Sequence, residues 1–452
     1  MELPNFYFAD LPPEAELSPK MITEACHTLK HNREKYLSSR PTEGIVKILC
    51  EVAREWLQPD NKFRKLALEL GPAETGFSKA VLEKGIDGFF RRFTPENFQA
   101  LLEQEIGSPQ RLDKFVASAD DGANRSSIVR APEFLVHIAA GNIPDPTLMS
   151  LALGLLTRSA QFVKCASGAS FLPRLFVHSI YELDHKLGAC LELASWRGGD
   201  VALEDALFAE ADCVTATGND ETLAAIRARL PSKARFLGYG HRVSFGFVTR
   251  EVLREEQISD VLVRAADDVV AWDQHGCLSP HVIYVEERGL VESDKFAELL
   301  ALELAKREVV EPRGSISMEH SATIASRRSL YDAILAHRAD AKIWKSHNST
   351  AWTVVFEHDT RFQFSCLNRF IYVKPVPDVA DVLQGIDSVH GKVSTVGIAA
   401  PPEKMKELAI RFASWGATRI CPLGQMQNPP LTWRHDGRPV FADLITWTDF
   451  EA

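Results

Sequence analysis

The chain has 452 residues, 45% of them hydrophobic and 25% charged, with a formal net charge of −10. That length exceeds one ordinary core and points to two or three domains. The acidic balance argues against nucleic-acid binding, no apolar run approaches the roughly 18 residues of a membrane span, and the acidic opening MELPNFYFADLPPEAELSPK lacks the basic-then-apolar order of a signal peptide, so a cytoplasmic protein is expected.

Residues 1 to about 130 read mainly as helix. Segments such as GIVKILCEVAREWL, KFRKLALEL and ENFQALLEQE carry apolar residues at helical spacing, punctuated by Pro and Gly. From Glu133 strands alternate with helices. EFLVHIAAG is strand-like, and DPTLMSLALGLLTRSA is a helix with Asp145 as N-cap and Pro146 in its first turn. QFVKCAS, DCVTATG and ARFLGYG follow as strands, separated by the helices FLPRLFVHSIYELDHKL, VALEDALFAEA and DETLAAIRARL. This alternation implies an open parallel sheet with helices on both faces, and such sheets bind ligands beyond the carboxyl ends of their strands. Three turns lie there, AAGNIPD, VKCASG and TATGND, and none is a G-x-G-x-x-G or a Walker loop. A second α/β stretch runs from near His241 to about residue 425, and the tail ends in the strand-like run DLITWTDFE.

The eight cysteines are scattered without a CxxC pair, which suggests reduced thiols and neither a disulfide frame nor a metal site. Most lie in apolar runs and read as buried, inert thiols. Cys277 is the exception. In DQHGCLSPH it sits on a turn between the helix QISDVLVRAADDVVAW and the strand HVIYVE, flanked by His275 and His281. A turn with converging N–H dipoles or basic neighbours is expected to lower the pKa of a thiol and make it a nucleophile.

These features in this order resemble the aldehyde dehydrogenase superfamily and, within it, the LuxC-type acyl-CoA (fatty acid) reductases. The LuxC-like stretches are TGFSKAVLEKGIDGFFRRFTPENFQALLEQE, AAGNIPDPTL, LGYGHR and WRHDGRP. The resemblance implies a helical N-terminal region and a Rossmann-like NADP-binding domain within 1–240, an α/β catalytic domain over 241–425, and an oligomerising tail over 426–452. It implies that Cys277 is the nucleophile and that the Asn142 amide helps bind the oxyanion. It implies that Lys164 holds the adenosine ribose and that Thr217, Gly218 and Asn219 cradle the pyrophosphate.

Three departures from the superfamily pattern carry information. Leu237, in FLGYGH, stands where hydrolytic relatives have a general-base Glu, and the Glu of a later motif is missing from FSCLNRF. Ser167 stands where NAD-preferring relatives often carry Glu, which favours NADPH. Hydrolytic deacylation needs a base to activate water, whereas reduction of an acyl-enzyme must keep water out. The expected activity is therefore NADPH-dependent reduction of a long-chain acyl-CoA or other acyl thioester to an aldehyde, in a homo-oligomer, with an acyl-protein synthetase as a candidate partner. Two other readings stay open: a cysteine hydrolase using His275 or His281 as base, and a non-catalytic acyl-binding subunit.

Overall fold

A computed structural model of the protein describes residues 3–12, 14–117, 125–337 and 340–451. Five helices open the chain: Pro19–Tyr36, Thr42–Trp56, Lys62–Thr75, Lys79–Phe90 and Pro95–Ile106. Ser18, Asn61, Ser78 and Thr94 each start one of them by accepting a hydrogen bond from the backbone N–H three residues on, satisfying a donor the helix itself leaves free. Strands β1 (Val116–Ala117) and β2 (Arg125–Arg130) follow. The helical reading of 1–130 did not anticipate β2, whose six-residue pairing is with the tail strand more than 300 residues away and leaves no local signal.

Next come β3 (Phe134–Ile138), β4 (Ala160–Cys165), β5 (Leu191–Ser195), β6 (Cys213–Thr217) and β7 (Arg235–Tyr239). They form an all-parallel sheet in the order β5-β4-β3-β6-β7. The chain reverses direction across the sheet beside β3, so the crevice outside β3 and β6 is the switch point where ligands of such sheets lie. Both faces are covered. Ile45, Leu49, Trp56, Phe89 and Phe90 of the opening helices pack with Leu151, Leu155 and Phe176 on one side. Ile22, Cys26, Leu203 and Phe208 cover Phe134, Val136 and Phe162 on the other.

The third group is β8 (Val243–Val248), β9 (Pro280–Glu286), β10 (Ala341–Lys345), β11 (Thr353–Glu357), β12 (Phe370–Val376), β13 (Val393–Ala399) and β14 (Arg419–Pro422). Their order is β10-β11-β12-β9-β8-β13-β14, with only β10 antiparallel. The β9 and β12 side chains are buried throughout, as expected of strands with helices on both faces. The tail strand β15 (Thr446–Glu451) pairs antiparallel with β2, and β1 completes a three-stranded sheet.

One predicted cap is different. The helix Asp145–Leu156 begins at Asp145 itself, with Pro144 at the N-cap and no side-chain cap bond. Arg92 reaches the Asp145 carboxylate at 2.9 Å, so that side chain faces the opening helices and not its own N-terminus.

Candidate active site

Cys277 follows a short irregular turn in which Trp272, Asp273 and Gln274 all have positive φ (50°, 48° and 69°). Left-handed backbone at non-glycine residues costs roughly 1–2 kcal/mol each and persists only where the surroundings impose it. Here they do. The Asp273 carboxylate accepts from Arg369 Nε at 2.8 Å and from the Gly314 N–H at 3.0 Å. The Gln274 amide donates to the Pro280 and Phe370 carbonyls at 2.7 and 2.9 Å and accepts from the Phe370 N–H at 2.9 Å. Arg369 ends a second left-handed run, Leu367–Arg369, just before β12. FSCLNRF, which lacks the superfamily's Glu, thus clamps the turn that leads to Cys277.

Around the cysteine, the Ser244 hydroxyl of β8 donates to the Cys277 carbonyl at 2.8 Å. The Asn142 amide donates to the His275 carbonyl at 2.8 Å, which brings the GNIP loop after β3 onto the same turn. An amide nitrogen carries two N–H groups, so one remains for an oxyanion. The thiol itself does not meet the expectation of a lowered pKa: it is pushed up to about 12, first by burial and next by the Asp436 carboxylate. The turn's backbone N–H and the charges of Arg242 and Arg419 pull the other way and are outweighed. The thiols of Cys26, Cys165, Cys190 and Cys421 are also pushed up to about 12, all by burial, so acidity does not single out Cys277. Its place does.

Cys277 and Leu278 line an open cleft. Met149 and Leu153 of the helix Asp145–Leu156 line it too, with Leu431, Val440, Phe441 and Leu444 of the tail. Leu237 and Tyr239 of β7 face the same space. Leu237, expected from the resemblance to stand at the place of the hydrolytic base, is therefore in the cleft, and it is apolar.

Neither flanking histidine is arranged as a base for the thiol. His275 Nε2 is 2.9 Å from Asn368 Oδ1, bracing the second left-handed run. His281 Nδ1 accepts from the Ser365 N–H at 3.1 Å and lies 3.0 Å from its hydroxyl, and burial holds its pKa down at about 4. Both fill structural hydrogen bonds.

Lys164 is the penultimate residue of β4. It is 6% exposed, burial lowers its pKa against the pull of Glu204, and its ammonium faces the Trp196 ring at 6.0 Å. No hydrogen bond or ion pair engages that ammonium among the described residues. The neighbouring indole Nε1 of Trp196 is likewise buried without a hydrogen-bond partner. A desolvated cation beside a free donor fits a ligand rich in hydroxyl or phosphate oxygens. Ser167 is exposed on the following turn. Beyond β6, the Gly218 N–H donates to the Tyr239 carbonyl at 3.1 Å. Asn219 caps the helix Asp220–Arg229 by accepting from Thr222 N–H at 2.8 Å, leaving the first turn of that helix facing the crevice.

Sequence reading missed the contribution of the tail. WRHDGRP was noted only as a motif, yet its His435 stacks on Tyr239 with ring centroids 4.8 Å apart and lines the cleft with Cys277. Arg438 donates to the Gly238 carbonyl at 3.2 Å, and Arg242 Nε meets Asp436 Oδ2 at 3.0 Å. The only available signal was a density of charged and aromatic residues in an otherwise loop-like stretch.

Residues 37–447 match the model of the acyl-CoA reductase (LuxC) family. The chain belongs to that family. Among its curated relatives, a long-chain acyl-protein thioester reductase of Aliivibrio fischeri is 23% identical over 90% of this chain and 82% of its own length. Long-chain acyl-protein thioester reductase 2 of Photobacterium leiognathi is 25% identical over 70% of this chain, and the match spans 63% of that relative. The fold is that of aldehyde dehydrogenases. A putative aldehyde dehydrogenase PutA from Anabaena variabilis superposes with a TM-score of 0.70 over 97% of this chain and 94% of its own, at 15% identity. An NAD-dependent benzaldehyde dehydrogenase from Corynebacterium glutamicum gives 0.69 over 99% and 94%, at 13% identity.

Proposed function

We propose that this family member is an NADPH-dependent reductase that converts long-chain acyl thioesters to aldehydes through an acyl group carried on Cys277. The observation that carries this reading is the cleft: one lining shared by Cys277, a set of apolar side chains and Leu237 of β7, where a hydrolytic enzyme would carry a carboxylate. Burying an acyl chain against Met149, Leu153, Leu431, Phe441 and Leu444 is favourable by about 0.8 kcal/mol per methylene, which selects long chains over short ones. The names of the relatives, long-chain acyl-protein thioester reductases, agree with that selection.

In this reading Cys277 attacks the thioester carbonyl, and the second Asn142 N–H with the Cys277 backbone N–H receives the oxyanion. Lys164, with Thr217, Gly218 and Asn219, holds the cofactor across the switch point, and Ser167 leaves room for a 2′-phosphate. The nicotinamide supplies the hydride that reduces the acyl-cysteine to the aldehyde level. Leu237 keeps the acyl-cysteine from being hydrolysed, since no base stands there to activate water. The acyl donor is an acyl-CoA or an acyl group delivered by an acyl-protein synthetase, and β15, exposed along its whole length, is the strand through which copies of the chain assemble.

The test is NADPH oxidation measured against acyl-CoAs of graded length, with Cys277→Ala as control. Turnover that rises with chain length and vanishes in Cys277→Ala is expected. Thioester hydrolysis without nicotinamide would favour a hydrolase, and acyl binding with neither reaction would favour a carrier subunit.

A further inference from the structure

Beside the cleft lies a second cavity of about 280 Å³, between the helix Lys79–Phe90 and the loop that follows β14. That volume is close to the lower bound of small-molecule sites, about 300 Å³. Asp145 and Gln427 line both cavities, so the two adjoin there. Gln427 is also tied to the turn of the nucleophile. Its Nε2 donates to Ser279 Oγ, and a Cβ added at Gly276 would lie only 2.5 Å from that nitrogen. Its Oε1 makes no hydrogen bond among the described residues, and Nε2 keeps a second N–H. A side-chain amide with a donor and an acceptor to spare thus lies against the residue before Cys277, where two cavities meet.

The two cavities differ in chemistry. The cleft carries Met149, Leu153, Leu431 and Phe441, whereas the second cavity joins Gln425, Gln427 and Asn428 to Val81, Phe89 and Trp272. Its charged groups are already matched. Lys84 meets Asp267 and Glu311 at 3.0 and 3.3 Å, Arg91 meets Asp87 at 3.0 Å, and Arg92 meets Asp145 at 2.9 Å. Asp268 accepts from the Gly424 and Met426 N–H groups. What remains for a ligand is a set of neutral amides among apolar side chains.

An acyl thioester likewise has two unlike parts diverging from its reacting carbon: a hydrocarbon chain and the arm that carries the thiol. We infer that the second cavity receives that arm, that the arm is a slender chain of amides and methylenes of the pantetheine type, and that Gln427 holds it at its thioester end. A cysteine within a protein is the other amide-bearing thiol. Its chain continues in two directions, and about 280 Å³ beside one helix fits a single thread.

This assignment rests on the reading of Cys277 as the acyl acceptor. The bond from the acyl carbon to the arm's sulfur breaks as the bond to Cys277 Sγ forms, and the Cys277 proton leaves on the arm's thiol. One thioester replaces another, and nothing is oxidised or reduced. The freed arm then withdraws through its own cavity while the acyl chain stays in the cleft.

The experiment is single-turnover acylation of the full chain, without cofactor, by radiolabelled hexadecanoyl thioesters that differ only in the thiol: pantetheine, CoA, N-acetylcysteine amide and ethanethiol. Wild type half-saturates with the pantetheine thioester at a concentration lower by about tenfold or more than with the ethanethiol thioester, the worth of one or two hydrogen bonds. Gly88 lines the second cavity, and a Cβ there meets nothing within 4 Å, so Gly88→Leu fills open space. In Gly88→Leu and in Gln427→Leu the preference for pantetheine collapses. Gly88→Ala, which adds a single carbon, reduces it in part and serves should the larger variants fold poorly. Equal half-saturation by CoA and pantetheine supports recognition of the arm alone, as on a carrier protein, and a lower value for CoA supports an arm extended by its phosphates. A wild type that does not distinguish pantetheine from ethanethiol, or that prefers the cysteine amide, overturns the assignment. So does a preference that survives in Gly88→Leu, or an equal loss with both donors, which puts the acyl chain in the second cavity. The underlying reading fails differently: Cys277→Ala would then still accumulate the label.

Discussion

The turn that presents Cys277 and the turns that end β4 and β6 are built in opposite ways. Trp272–Gln274 is a buried left-handed run held chiefly by groups from afar, Arg369, Phe370 and Gly314, with the nearby Pro280 carbonyl accepting one further bond. The VKCASG and TATGND turns are held by near neighbours. Ala169 N–H bonds the Ala166 carbonyl, Gly168 takes the positive φ (76°), and Asn219 caps its own helix. A nucleophile must be placed to a fraction of an ångström, since misplacement costs rate directly. A cofactor turn presents backbone groups and tolerates adjustment. Substitutions on the first side should therefore be severe and those on the second graded.

The largest effect is expected for Cys277→Ala, which removes both acyl-protein and aldehyde while leaving the thermal transition close to wild type. Radiolabelled acyl-protein in wild-type amount would place the nucleophile elsewhere. With Cys277 intact, its alkylation should climb about tenfold per pH unit across the neutral range, because the thiolate fraction grows with pH until the raised pKa is reached. A plateau near pH 7 would show that the thiol is already ionised.

Next comes the clamp. Arg369 is fully buried, 2.8 Å from Asp273 and 3.1 Å from Glu308. Breaking such a pair by removing one partner costs about 3–5 kcal/mol, because it strands the other charge. Arg369→Gln should lower the denaturant midpoint by that measure and impair acylation together. A variant of full stability with impaired acylation would mean that the pair tunes the turn without holding the fold.

Asn142→Ala comes third. It removes a hydrogen bond to the His275 carbonyl and, in the proposed reaction, one oxyanion donor, worth about 10²-fold or more in the rate of acyl transfer. Cofactor affinity should change little. Normal turnover with weakened NADPH binding would move Asn142 to the cofactor side of the comparison.

The same contrast explains what was legible beforehand. The β3–β7 alternation was readable because its periodicity is local, and so were the turns after β4 and β6, whose Gly, Ser and Asn chemistry declares itself. Cys277 stood out only through its position between a helix and a strand; its clamp, with Arg369 some 90 residues away, leaves no trace in a local window. β2 escaped for the same reason. Asp145 misled because a helix-starting Asp is usually a cap, and Arg92 competed for it successfully. The raised pKa of Cys277 was equally hidden: the turn and the basic neighbours were visible, but the burial and Asp436 that outweigh them are tertiary facts.

The mildest prediction tests the tolerant side. Ser167 is exposed on the turn three residues beyond Lys164, whose ammonium makes no hydrogen bond or ion pair among the described residues. A Glu at 167 would accept hydrogen bonds from ribose hydroxyls and repel a 2′-phosphate. Two like charges about 4 Å apart at an effective dielectric near 20 repel by about 4 kcal/mol, and solvent screening at an exposed turn removes most of that. A residue of about 1.4 kcal/mol is still tenfold. Ser167→Glu should therefore shift the ratio of kcat/KM for NADPH over NADH by about tenfold toward NADH, with acylation in the absence of cofactor unchanged, because no part of the clamp is touched. An unchanged ratio would mean that the turn after β4 lies away from the ribose. A loss of acylation would mean that the two sets of turns are not built independently after all.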